Sequence, residues 1–325
     1  MRVLVTGSAS HLARVLLPRL CLEADVSQVL GVDLRASGFR HAKYTEVQDD
    51  VRSPELGRHL RGVDAVIHLA FVVLPTSLKG RPWHRNGHRA LMRDINVNGS
   101  ANVFALARAA GVTRIVHLSS AAVYGAWPDN PPLLDESSPR RAMPGFAYAE
   151  DKVAVEDWLD AFEADAKPGH APVPGVVRLR PHVILGPHAQ PLLRWLLRQP
   201  FYPSLPDPQP LTQCIWEDDV AEAILSALRY PHSGSFNLAA DPPLSFRDMQ
   251  RARHALALPL PFALARALHR GLWHISGIAG EPGWLEGMRY SLAVDSRRAE
   301  RELRWRAARS TYECLQRLRA ASDRV

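Results

Sequence analysis

Short apolar runs, many of them β-branched and several ending on glycine, serine or a carboxylate, recur through the first 180 residues, with helix-period stretches between them. Arg2-Val-Leu-Val-Thr-Gly7 reads as a first strand, and residues 10–21 as an amphipathic helix with Leu12, Val15, Leu16 and Leu20 inward. Further strands are read at Gln28–Asp33, 44–47, 64–70, 113–120 and 175–180, with helical stretches near 53–61 and 88–110. Strands alternating with helices of this length predict an α/β fold built on a doubly wound parallel sheet. Ligands of such sheets bind at the carboxyl ends of the strands. Gly7, Asp33, Asp50, Leu69-Ala70 and Ser119-Ser120 all fall at such ends, so they are expected to share one rim.

The second half reads differently. After residue 180 the chain is rich in proline (187, 191, 200, 203, 206, 208 and 210), around a short apolar helix at 192–197. A helix at 218–229 and a strand at Gly234–Leu238 return to the sheet pattern. The expected organisation is a nucleotide-binding part at 1–180, rejoined by part of 210–240, and a smaller C-terminal α/β part at 181–325 for the substrate. Residues 126–145, also proline-rich, are expected to be a loop beside the site.

Two constellations carry candidate chemistry. The first is the glycine turn after the first strand, where Gly7, Ser10 and Ala13 stand at the spacing of a dinucleotide-binding loop, and Asp33 closes the second strand. A carboxylate there can grip ribose hydroxyls, whereas Ser10 adds a side chain where backbone should approach a pyrophosphate. Taken alone, the segment reads equally well as an ordinary strand-turn-helix. The second is Phe146-Ala-Tyr-Ala-Glu-Asp-Lys-Val, which puts Tyr148 and Lys152 four residues apart on one helix face. A free phenol has a pKa near ~10, and a neighbouring cation lowers it toward useful acid–base chemistry. Ser120, at the end of the fifth strand, can hold a substrate oxygen meanwhile.

The chain resembles the extended short-chain dehydrogenase/reductase family, the NAD-dependent epimerase/dehydratase group. The residues that carry the resemblance are Thr6-Gly7-x-x-Ser10-x-x-Ala13, Asp33, Asp50-Val51-Arg52, His68-Leu-Ala70, Asn96-Val-Asn-Gly99, Ser119-Ser-Ala-Ala-Val-Tyr-Gly125, Tyr148-x-x-x-Lys152, Leu179-Arg-Pro181, Trp216-Glu-Asp-Asp-Val220 and the closing run 294–305. The resemblance implies a Rossmann sheet and an oxidoreductase in which Tyr148 is the acid/base. Lys152 would lower its pKa and bind the nicotinamide ribose, Ser120 would orient the substrate oxygen and Asn96 would complete a tetrad. Gly7, Ser10, His11 and Leu12 would form the cofactor loop. Asp33 would hold the adenosine ribose, Asp50 and Val51 would flank the adenine, and Leu69 and Ala70 would line the cleft. NAD is expected over NADP, because Asp33 would repel a 2′-phosphate, although Arg35 offers a partial offset. A homodimer through two helices of each subunit is the family habit.

The substrate is left open. Nucleotide-sugar members carry an asparagine where this chain has Val183 and an arginine where it has Thr212, and both contact the diphosphate. The Arg180-Pro form resembles hydroxysteroid and related alcohol dehydrogenases as well as a bacterial subgroup of sugar epimerases. Epimerisation and dehydrogenation share their first steps, so the sequence does not separate them. The run 258–278, an apolar stripe broken by Arg266, His269 and Arg270, reads as a core-packed amphipathic helix, a greasy pocket wall or a membrane-surface helix. A rival of another class is a non-catalytic NAD(P)-binding sensor or scaffold. Ser10 favours it, and the intact Ser120, Tyr148 and Lys152 oppose it.

Composition narrows the remaining classes. The 325 residues are 46% hydrophobic, enough for a large core. Three cysteines (Cys21, Cys214, Cys314), far apart in sequence, suit a reducing cytosol, and a cytoplasmic location is expected. No secretory signal or spanning run of apolar residues is visible. Fourteen histidines include one four-apart pair, His84 and His88, in a basic stretch without a nearby acid, so no metal site is expected. The net charge of +7 comes from scattered arginines, read as a solvated surface and not a nucleic-acid face. Lys79, Arg81, Arg85 and Arg89 follow the fourth strand and read equally as an anion-attracting cluster or as solvated surface.

Overall fold

The computed structural model describes residues 1–73, 85–165, 171–189, 199, 201–203, 209–252, 255–258, 261–276 and 281–322. The helix expected at 192–197, and Lys79, Arg81 and His84, lie outside these residues.

The chain opens with β1 (Arg2–Thr6), α1 (Ala13–Leu22), β2 (Gln28–Asp33), β3 (Tyr44–Gln48) and β4 (Ala65–His68). It continues with α2 (Arg85–Arg93), α3 (Gly99–Ala109), β5 (Arg114–Leu118), α4 (Ala147–Ala164) and β6 (Gly175–Pro181). Then come β7 (Val183–Leu185), β8 (Phe201–Pro203), β9 (Leu211–Thr212), β10 (Cys214–Trp216), α5 (Glu217–Arg229) and β11 (Gly234–Leu238). The last elements are β12 (Leu244–Ser245), α6 (Phe246–Ala252), β13 (Leu256–Leu258), α7 (Phe262–Ser276), α8 (Pro282–Glu286) and α9 (Thr311–Ser322). Two expected helices are modified. The stretch near 53–61 is a 3-10 turn, Pro54–Leu60, started by Ser53, whose hydroxyl accepts the Glu55 N–H. The helix near 88–110 is interrupted by a π-helical turn, Asp94–Asn98, that widens it around Asn96.

Seven strands form one parallel sheet in the order β11-β6-β5-β4-β1-β2-β3. The chain winds outward in both directions from the β1–β4 pair, which leaves a crevice at their carboxyl ends. Alternation along the strands sends side chains to two cores. Val3 and Val5 join Leu16, Leu20, Val220 and Ile224 beneath α1 and α5. Leu4 joins Val66, Ile115, Val103, Phe104 and Leu159 beneath α3 and α4. Burial on both faces explains why these strands read as nearly continuous apolar runs.

The second half contributes two-stranded pieces: β7 with β10, β9 with β12 and β8 with β13. Only β11 joins the main sheet, beside β6. In α7, Trp273 is buried while Leu264, Leu268 and Leu272 face outward. Among the described residues no helix is long and apolar enough to cross a membrane, and no group of three or more candidate ligands could hold a metal ion.

Candidate active site

The cofactor rim is built from backbone. Gly7 has φ +72° and its N–H donates to Val32 O at 2.8 Å. A Cβ at Gly7 would lie 2.6 Å from Ala70 N, so β1 and the segment after β4 approach this closely only because residue 7 is glycine. The Ser10 hydroxyl accepts the Ala13 N–H at 3.3 Å. It is therefore turned onto the start of α1. His11 is exposed and Leu12 is packed into the core.

Asp33, at the end of β2, accepts the Ala9 and Arg35 N–H groups at 3.1 Å each, joining the loop to the second strand. Asp50 is held by Arg52 at 2.6 Å, and Arg52 also reaches Asp94 at 2.8 Å. That guanidinium keeps the Asp50 carboxyl below its usual range. Val51 and Leu69 are buried, and Ala70 is half-buried. A glycine turn, a helix start and a carboxylate at the β2 end fit a dinucleotide: the turn admits a pyrophosphate, and Asp33 is placed for a ribose.

Ser120, Tyr148 and Lys152 converge at the carboxyl end of β5. Ser120 is extended (φ −161°, ψ 148°), and its hydroxyl also accepts the Ala122 N–H at 3.2 Å. Ser120 hydrogen-bonds the Tyr148 phenol, which favours phenolate, but burial is the larger influence and raises the phenol's pKa. Lys152 is buried, and desolvation lowers its ammonium to about 7. Its Nζ donates to Leu118 O at 2.5 Å and lies 3.5 Å from the centre of the Phe71 ring. The ammonium is 5.8 Å from the Tyr148 ring centre. Sequence reasoning passed over Phe71, which also meets Tyr148 edge-on at 5.6 Å. An aromatic three residues beyond a strand end carries little signal on its own.

Asn96 is fully buried. It accepts the Val72 N–H at 2.7 Å and donates to Val72 O and to Asp151 Oδ2, each at 3.0 Å. It thus ties the segment after β4 to the helix bearing Tyr148. Arg89 is drawn into the same helix through Asp151 at 2.8 Å and Glu150 at 3.1 Å.

A second overlooked residue is Glu156, one turn beyond Lys152. Its carboxylate takes Ser119 Oγ at 2.5 Å, Arg180 Nη2 at 2.5 Å and Arg140 Nη1 at 3.1 Å. Arg180 continues to Tyr124 Oη at 2.7 Å, and Tyr124 to Asn237 Oδ1 at 2.8 Å. These hydrogen bonds pull its carboxyl pKa down in spite of burial. The Arg of Leu179-Arg-Pro181 is thereby an anchor for α4, and the i, i+4, i+8 series Tyr148, Lys152, Glu156 was its available signal. Val183 is 41% exposed and Thr212 half-buried, on the short strands flanking the expected substrate side.

A parallel α/β sheet with a glycine turn, a carboxylate at the end of β2 and a Ser-Tyr-Lys cluster at one rim is the arrangement expected of a nicotinamide-nucleotide oxidoreductase. Within that class, residues 3–239 match the NAD dependent epimerase/dehydratase family, and the chain belongs to it; its cofactor is NAD. An uncharacterised protein of Mycobacterium tuberculosis is 27% identical over 266 residues, covering 80% of this chain and 67% of the relative. A UDP-glucose 4-epimerase of Mycolicibacterium smegmatis is 30% identical over 50% of this chain and 51% of that protein. A 2-alkyl-3-oxoalkanoate reductase of Shewanella oneidensis is 28% identical over 57% of this chain and 45% of that protein. The solved structure of MoeE5 in complex with UDP-glucuronic acid and NAD superposes with a TM-score of 0.74 at 21% identity, covering 100% of this chain and 99% of that one.

Proposed function

We propose that the protein interconverts a secondary alcohol and a ketone on a sugar, a nucleotide sugar being the favoured form, with Tyr148 as the proton donor and acceptor. The observation that carries this reading is the convergence of three side chains at the end of β5: Lys152, one helical turn from Tyr148, has its Nζ on Leu118 O, two residues before Ser120, and 5.8 Å from the Tyr148 ring centre. NAD supplies the hydride acceptor. Tyr148 takes the hydroxyl proton as the carbon loses hydride, and Ser120 holds the same oxygen. Lys152, when NAD is bound, would hold its nicotinamide ribose, and its positive charge beside the ring would compensate charge developing on the phenol. Return of the hydride to the opposite face would give epimerisation, and release of the ketone dehydrogenation.

Tyr148→Phe is expected to lose at least ~100-fold in turnover, the scale of general acid–base catalysis, with NAD affinity unchanged within about twofold. Turnover equal to wild type would remove Tyr148 from the mechanism. A second reading, an alcohol dehydrogenase or ketoreductase for an apolar substrate, is favoured by Val183 and Thr212, which supply no charge to a diphosphate. A thermal-shift panel with NAD present, setting UDP- and dTDP-sugars against steroid, terpenoid and 3-oxoacyl compounds, separates the two. Stabilisation confined to the apolar set would replace the sugar reading.

A further inference from the structure

The helix that carries Tyr148 begins without a local cap. Phe146 occupies the capping position with φ −110° and ψ 83°, and its side chain accepts nothing. The first N–H groups of a helix need acceptors from elsewhere, a task that usually falls to Ser, Thr, Asp or Asn at that position. Glu150 reaches back to the Gly145 N–H at 2.9 Å, one residue too early to serve the first turn.

The missing acceptor comes from 134 residues away. Glu281 Oε2 accepts the Ala147 N–H, the first of the helix, at 2.6 Å. Glu281 is 7% exposed and lies beyond residues 3–239. The backbone beside it is docked just as closely. The Gly283 N–H donates to Gly145 O at 3.2 Å, and a Cβ on Gly283 would lie 2.6 Å from Gly145 C, Phe146 N and Pro144 O. Arg89 from α2 and Glu150 from α4 act on the buried carboxylate with opposite signs.

We propose that Glu281 is a positioning residue for proton transfer: it caps the catalytic helix from the substrate-side part of the chain and so fixes where the Tyr148 phenol stands. The inference rests on Tyr148 being the acid/base. Tyr148 is the second residue of its helix, in the turn that frays first when uncapped. Catalytic groups must be held to within about 0.5 Å, and an error near 1 Å can cost ~100-fold in rate. A segment that clasps this first turn through one carboxylate and one glycine contact therefore couples the substrate side to the acid/base.

The test uses the full chain with NAD, and its two main readouts need no known substrate. Hydrogen exchange is followed at the Ala147 and Tyr148 amides, and phenol ionisation is followed near 295 nm, assigned by difference from Tyr148→Phe partners. In Glu281→Ala, protection at these two amides is expected to fall about 5- to 10-fold, the scale of a lost N-cap, with β1 and β5 unchanged. The Tyr148 titration should move by roughly half a unit or more. Glu281→Gln, which keeps one acceptor oxygen and the shape, should restore part of both effects and serves if the alanine variant fails to fold. Unchanged protection, or an unchanged Tyr148 titration beside lost protection, would overturn the proposal. If both effects appear while Tyr148→Phe retains full turnover, the coupling stands and the acid/base assignment falls.

Discussion

The sheet side and the side proposed for the substrate are built by different means in this molecule. On the sheet side, seven parallel strands end together, and the critical groups sit at those ends by backbone geometry: Gly7 at φ +72°, Asp33 closing β2, Ser120 just beyond β5. On the other side the strands are two or three residues long and pair in twos, and large apolar side chains such as Leu256, Leu268 and Leu272 remain more than half exposed. A sheet buried on both faces overdetermines its rim, while short pairs leave position to individual side-chain contacts. Glu281 matters for that reason: it is one place where the loosely built side is tied to the rigid one.

The largest break in this contrast should come at the seam. Arg180→Met leaves Glu156 charged, buried and short of its main partner, and is expected to destabilise the protein by ~3–5 kcal/mol in chemical denaturation. A loss below about 1 kcal/mol would mean that the Glu156 network does not anchor α4. Next comes Lys152→Met, which removes a cation that burial holds at about 7 against 10.5 for the free side chain. Because the folded pKa is depressed, wild type gains stability as pH rises from about 7 toward 10.5 and is least favoured below that window. In the absence of NAD, Lys152→Met should therefore be the more stable by an amount on the order of 4 kcal/mol at pH 7, with the gap closing by pH 10.5. A gap that does not vary with pH would show that Lys152 is not desolvated as described. The smallest effect belongs to the other side: Leu268→Gln should change stability by no more than ~0.5 kcal/mol, because its side chain is already 54% exposed. A larger loss would mean that this face of α7 is covered in solution.

Much of the rim was legible because parallel strands announce themselves. Gln28–Asp33 and Gly234–Leu238 coincide with their apolar runs, and the strand ends carry the glycine and carboxylate that the sequence pattern singles out. Tyr148 and Lys152 were legible through helical spacing, and Glu156 continued that spacing unnoticed. Phe71 and Glu281 were not legible. Phe71 takes its meaning from Lys152, 3.5 Å from its ring centre, and Glu281 from a helix start 134 residues away. Spacing says nothing about such pairs. The direction of the Tyr148 shift was also beyond the sequence: a neighbouring cation predicts a lowered phenol pKa, whereas burial raises it and only Ser120 opposes that rise.

The amino-acid sequence by itself determined the fold class, the residues at the strand ends and the residue types of the Ser120–Tyr148–Lys152 cluster, because these depend on local periodicity and on which residues tolerate a strand end or a tight turn. Tertiary structure alone decided which groups hold that cluster in place: Asn96 spent on Val72 and Asp151, Glu156 on Arg180 and Ser119, Glu281 on the first turn of α4. Buried polar groups must find partners wherever the chain brings them, and those partners lie far apart in sequence.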